Sequence, residues 1–294
     1  MNYTMTNGTL FVAVSSIGGQ LLSIVDLSQN NKEYLWLGDE AYWKGRAPNL
    51  FPITGRVPDG TYTYKGNTYT IDSPHGFIRH SVLQLTNHAE NFMEFGMKSN
   101  AQTRKQYPFD FDYRVRFTLD QKKLTICYTI RNTSPTETML FSVGAHPGFQ
   151  VPITDGEVFE DYMIEFEHPA HPQRLLLDGA YLSGKKEPYP LQNDTIIPLQ
   201  HNLFDNEMIL LEQAARSLTI HSARNQNGIR VSYPDFTYVG FWQPVQTDAP
   251  FICVEPWNGL PSVQNGSKEF SSKPGLCTLQ PLKTYQATYS IEVY

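Results

Sequence analysis

Between Tyr113 and Ile130 the chain alternates apolar and polar residues on both sides of a short polar turn, and this pattern constrains the fold more than any other feature. Tyr113, Val115, Phe117 and Leu119 alternate with Arg114, Arg116 and Thr118; after Asp120-Gln121-Lys122-Lys123, Leu124, Ile126, Tyr128 and Ile130 alternate with Thr125, Cys127 and Thr129. Successive side chains of an extended chain point to opposite faces, so a period of two buries one set and leaves the other wet. The segment is a β-hairpin. Similar short runs occupy residues 9–14, 20–26, 61–70, 92–98, 138–143, 217–221, 228–233, 251–254 and 285–293, separated by turn signals such as Gly18-Gly19, Asp59-Gly60, Asn227-Gly228, Pro234-Asp235 and Pro274-Gly275. This spacing predicts an all-β fold, a large antiparallel β-sandwich with very little helix. Only residues 210–216 read as helix, because Leu210, Leu211, Ala214 and Ala215 recur at three-to-four spacing. No βαβ alternation, phosphate-cradling glycine loop, Gly-x-Ser-x-Gly elbow or internal repeat occurs.

With 294 residues, 40% hydrophobic and 13% aromatic, the chain is too apolar for disorder. Its prolines and glycines are dispersed, with no linker-like concentration, so the reading is one domain spanning residues 1–294. A net charge of −6 is the opposite of a nucleic-acid binder's balance. No window approaches the ~18 consecutive apolar residues of a membrane-spanning helix, and Met1-Asn2-Tyr3-Thr4 opens without a basic region leading into an apolar one. Cys127, Cys253 and Cys277 are odd in number and far apart, which indicates neither a disulfide scaffold nor a zinc ribbon and fits a reducing cytoplasm. The Asn-x-Ser/Thr triplets at Asn132, Asn193 and Asn265 are read as chance.

Four segments place proton-moving or hydroxyl-holding residues beside Pro, Gly and aromatics at strand ends: residues 54–60, 73–80, 144–149 and 253–257. Glu255 ends the apolar run Phe251-Ile252-Cys253-Val254; Pro256 is expected to end strand pairing there, and Trp257 supplies an aromatic wall. Partial desolvation would raise the carboxyl pKa and suit Glu255 to general base work, against the alternative of a sheet-rim glutamate paired with an arginine. His146 stands where a strand runs into Pro147-Gly148; it suits proton donation near neutral pH, against the commoner role of a lone histidine, a structural hydrogen bond. His75, between Pro74 and Gly76, offers a second donor to a substrate oxygen. Arg56 and Arg79 present forked donors suited to sugar hydroxyls or phosphate, or to surface ion pairs. His168 and His171 do not make a metal pair, since the flanking prolines exclude an aligning helix and no ligand-spaced third residue follows. Phe77, Phe149 and Trp257 each lie beside a polar cluster and are read as platforms for a sugar's apolar face.

Together these segments resemble the aldose 1-epimerase (galactose mutarotase) family, and within it the LacX-like branch. The resemblance spans nearly the whole chain and is carried by Gly55-Arg56, His-Gly-Phe-x-Arg at residues 75–79, Ala-His-Pro-Gly-Phe at 145–149 and Val-Glu-Pro-Trp at 254–257, in the family's order. It implies a β-supersandwich with the sugar in an open cleft, and interconversion of α and β anomers without metal or cofactor. It assigns Glu255 as the base at the C1 hydroxyl, His146 as the acid at the ring oxygen, and His75 and Arg56 to substrate oxygens. An acidic sugar ligand after Leu203-Phe204 would be Asp205 or Glu207, of which Glu207 is carried as the candidate. Relatives acting on hexose 6-phosphates use an arginine in the run containing Arg79, so a phosphorylated substrate is the alternative to a free hexose. A noncatalytic sugar-binding sandwich needs the aromatics without the acid and base, and a glycoside hydrolase needs a second carboxylate near Glu255. The expected partner is a small sugar, with no nucleic acid and no membrane.

Overall fold

A computed structural model of the chain describes residues 1–294 except Asp72. The hairpin forms as its period dictates, with Phe111–Asp120 antiparallel to Lys123–Asn132 and Asp120 opposite Lys123 across the turn at Gln121-Lys122. Its apolar set is buried, from Tyr113 and Val115 to Tyr128 and Ile130. The pair lies inside a nine-stranded antiparallel sheet. From one edge this sheet runs Ile196–Pro198, Tyr162–Phe166, Ser217–Ser222, Gly228–Ser232, Thr284–Val293, Lys123–Asn132, Phe111–Asp120, Phe92–Lys98 and Gln84–Ala89.

A second sheet runs Tyr181–Pro188, Gln173–Asp178, Ile209–Glu212, Tyr238–Trp242, Phe251–Asn258, Val143–Ala145 and Asn49–Leu50, with Gly148–Gln150 also pairing to Phe251–Asn258. The two sheets share one apolar core. Val115, Phe117, Ile126 and Tyr289 enter it from the first sheet, and Leu211, Val239, Phe241, Ile252 and Val254 from the second. Each such side chain, fully buried, contributes about 1.5–3 kcal/mol. The expected all-β sandwich is therefore present. Among the described residues, helix is confined to Ala101–Arg104 and to 3-10 turns of three or four residues, and no helix is long and apolar enough to cross a membrane.

Two sequence expectations are corrected. Residues 210–216 are not helical: Ile209–Glu212 is a strand paired to Tyr238–Trp242 on one side and Gln173–Asp178 on the other. Both its faces are covered, Leu211 by the main core and Leu210 by a smaller cluster with Leu182, Trp257 and Leu260, so its apolar residues run consecutively and do not alternate. Nor does Pro256 end pairing; it stands opposite Val239 inside Phe251–Asn258. Val254 donates its N–H to Pro147 O at 3.0 Å, so position 256, two residues on, turns its missing N–H towards the same broken stretch of the neighbouring strand.

The strand Phe251–Asn258 divides its side chains between two environments. Ile252 and Val254 point into the core between the sheets. On the outer face, Phe251 and Cys253 join a cluster with Trp36, Trp43 and Trp242, while Trp257 joins the one around Leu50 and Leu210. Glu255 falls between these two apolar clusters.

Candidate active site

Strand register brings the two central titratable groups together. Gly148 pairs with Cys253 and Gly144 with Trp257, so the same ladder sets His146 opposite Glu255, and directly opposed residues project on one face. The chain leaves regular strand geometry at His146-Pro147, where His146 N–H is donated to Pro48 O at 3.1 Å. His146 Nε2 then lies 3.3 Å from Glu255 Oε2, with the side chains 9% and 2% exposed. They are close without being aligned as a hydrogen bond. Among the described residues, Glu255 Oε2 and His146 Nδ1 have no hydrogen-bond partner.

Burial sets the proton affinities of this pair. It pushes the Glu255 carboxyl well above the usual carboxylate range, with the Arg79 guanidinium opposing the rise. It pulls His146 down to about 3, reinforced by the charge of Arg79. Arg79 itself, on the 3-10 turn Ile78–His80, is lowered by burial and held up by Glu255.

His75 is held in a defined tautomer. Its backbone is left-handed (φ +65°), its N–H is donated to Gly55 O at 2.7 Å, and its Nδ1 accepts from Gly55 N–H at 3.2 Å. An accepting Nδ1 in a neutral ring leaves the proton on Nε2. Burial, then the charges of His146 and the neighbouring cations, keep the ring neutral. This conformation needs Gly76, where φ is +77° and a Cβ would be driven into Phe51 O. Gly76→Ala should therefore cost at least about 2 kcal/mol of unfolding free energy in a denaturant titration.

All seven candidate residues meet in one cleft of about 600 Å3 on the outer face of the second sheet. Glu255, His146, His75, Arg56, Arg79, Glu207 and Trp257 line it. Arg56 stands exposed at its rim. Between Asp205 and Glu207 the structure distinguishes: Glu207 lines the cleft, its carboxyl raised by burial against the opposing N–H of Gly179, whereas Asp205 is exposed and outside the lining.

Comparison with known proteins follows this geometry. The family described as Aldose 1-epimerase matches residues 1–291. The chain belongs to the aldose 1-epimerase family. It is 32% identical to the chromosomal protein LacX of Lactococcus lactis subsp. lactis over 305 residues, covering all of this chain and 99% of that one. Its fold superposes with a TM-score of 0.95 on a galactose mutarotase related enzyme from Lactobacillus acidophilus, at 31% identity with 100% and 97% of the two chains covered. A galactose mutarotase-like protein from Lactobacillus casei gives a TM-score of 0.91 at 28% identity, with both chains fully covered.

In this member of the aldose 1-epimerase family, Phe77 and Phe149 are core residues, contrary to the sequence reading. Phe149 is fully buried, and Phe77 packs against Phe51, Tyr107 and Phe111. The residue one step from Gly148 must face the other way, so adjacency to His146 in sequence sends Phe149 to the core.

Trp43 and Trp242 were not singled out by the sequence, yet both line the cleft. The Trp43 indole stacks on the His146 ring with centroids 4.8 Å apart at 24°, and Trp242 meets the same ring edge-on at 5.5 Å. Trp242 had a readable signal in Tyr238–Trp242, whose alternation sets it on the face opposite Val239 and Phe241; Trp43 lies in a loop with none. Because the stacked indole fixes the imidazole plane, Trp43→Leu should lower turnover about tenfold with a smaller change in KM. Trp43→Phe, which restores a ring, should recover most of it in the same steady-state assay.

Proposed function

We propose that the chain interconverts the α and β anomers of a free hexose by acid–base ring opening. The observation carrying this reading is the buried contact of His146 Nε2 and Glu255 Oε2 at 3.3 Å in a cleft also lined by His75, Arg56, Arg79, Glu207 and Trp257. Opening a hemiacetal needs a base at O1 and an acid at O5, two atoms attached to the same carbon, and two groups this close reach both. Glu255 takes the O1 proton and a C1–O1 double bond forms. The C1–O5 bond breaks, its electron pair staying on O5, which takes a proton from His146. Rotation about C1–C2 presents the other face of the aldehyde, and closure reverses both transfers.

The pKa directions fit this cycle. A raised Glu255 and a lowered His146 make the carboxyl the preferred seat of a proton shared by the pair. That distribution matches the bound open-chain sugar. Opening a closed ring needs the reverse, the proton on His146 and the carboxylate facing O1, so the pKa directions favour the open-chain half of the cycle. The Nε2–H of His75 and the guanidinium groups of Arg56 and Arg79 are assigned to sugar oxygens, Glu207 to a hydroxyl on the opposite wall, and Trp257 to the sugar's apolar face.

Polarimetry tests the reading. Freshly dissolved α-galactose or α-glucose should equilibrate at a rate proportional to protein concentration. A spontaneous rate unaltered for both sugars contradicts the proposal, and acceleration confined to glucose 6-phosphate transfers it to the sugar-phosphate alternative.

A further inference from the structure

We infer that His146, Cys253 and Glu255 form a binding site for a thiophilic divalent cation, with Zn2+ as its representative, whose occupancy shuts the cleft to catalysis. The three offer an imidazole nitrogen, a thiol sulfur and a carboxylate oxygen, all within 4.8 Å of one another and all buried. These are the donor types that tetrahedral zinc sites combine. A tetrahedral ion at about 2.1 Å from nitrogen and oxygen separates them by about 3.4 Å; His146 Nε2 and Glu255 Oε2 already stand 3.3 Å apart. Glu255 Oε2 is unpartnered, so coordination takes no existing hydrogen bond from it. Closing the remaining gap to sulfur requires about 1 Å of movement at a zinc–sulfur distance of about 2.3 Å.

Register explains the trio. Cys253 and Glu255 are two residues apart on one strand and share its outer face, while His146 stands opposite Glu255. The cross-strand neighbours of Cys253 are Gly148, which has no side chain, and Trp242. His146 and Glu255 open onto the cleft, which gives the ion its path in and leaves a fourth coordination position for water. On binding, the Cys253 thiol and the Glu255–His146 pair each lose a proton to solvent and the thiolate sulfur bonds the ion, with no change of oxidation state. Binding also engages the lone pairs of His146 and Glu255. Loss of activity on binding therefore rests on the acid–base reading above, whereas binding itself does not.

The test separates the two. Co2+ added to the full-length protein should give a thiolate-to-cobalt charge-transfer absorption that saturates at one equivalent and is displaced by Zn2+. Calorimetry with Zn2+ alone should show one tight site, weakened at least about 100-fold in Cys253→Ser. Cys253→Ser should retain the basal anomer-exchange rate and lose its sensitivity to Zn2+ by a similar factor. Cys253→Ala provides a second variant with no polar atom to bury. Absence of the cobalt absorption, or its persistence in both variants, overturns the site. Saturable, Cys253-dependent binding with undiminished sugar turnover keeps the site and overturns its inhibitory role.

Discussion

Glu255→Gln should lower the turnover of anomer exchange by about a thousandfold, within the range that a positioned acid or base contributes, while KM changes by no more than a fewfold. The amide keeps the shape of the carboxyl and cannot take a proton from O1. The variant should also fold at least as stably as the parent. Burial between the Trp36–Phe251 cluster and the Leu50–Trp257 cluster makes the ionised carboxylate costly, and a neutral amide removes that cost. Thermal unfolding and steady-state kinetics on one preparation check both statements. A large fall in both kcat and stability would instead mark Glu255 as a structural residue.

The second large effect lies behind the cleft. Lys273 is 6% exposed, donates its Nζ protons to Thr54 O at 3.0 Å and to Leu260 O, and burial lowers its pKa to about 7. Among the described residues no carboxylate forms a salt bridge with it. The unfolded chain protonates this lysine up to about pH 10.4, so between roughly pH 7 and pH 10 the unfolded state binds more protons than the folded one. The destabilisation caused by burying Lys273 is therefore complete and constant below about pH 7, and it is relieved as pH rises through that window. The unfolding free energy of the native protein relative to Lys273→Met should increase by about 1.4 kcal/mol per pH unit across the window, approaching about 5 kcal/mol in total. The variant's unsatisfied carbonyls of Thr54 and Leu260 add a constant offset and leave the slope untouched. Denaturant titrations of both proteins at pH 6.5, 8 and 9.5 measure it, and a flat difference would show that the ammonium is not desolvated.

What could be read from the sequence was whatever depends on local period. The hairpin from Phe111 to Asn132 announces itself because one face is core and the other is wet. Ile209–Glu212 hides because both its faces are covered, which erases the alternation and leaves Leu210 and Leu211 with Ala214 and Ala215 looking helical. The site followed the same division. Glu255, His146, His75, Arg56 and Arg79 sit in short recognisable motifs beside Pro, Gly and aromatics, and all reach one cleft. Trp242 was signalled by the alternation of Tyr238–Trp242, whereas Trp43 reaches the cleft only through a loop that returns over His146, which no local window contains. Phe149 was misread for the reason His146 was found: its neighbours are polar, but parity turns it to the opposite face of the sheet.

The central claim is that one carboxylate and one imidazole flank a single anomeric carbon. A crystal structure of the Glu255→Gln protein soaked with galactose examines it directly. The account predicts O1 within hydrogen-bond distance, about 3 Å, of the substituted side chain and O5 at the same distance from His146 Nε2, with the ring edge towards His75 and Arg79. A galactose bound with its reducing end at the Glu207 wall, away from residue 255, would contradict it.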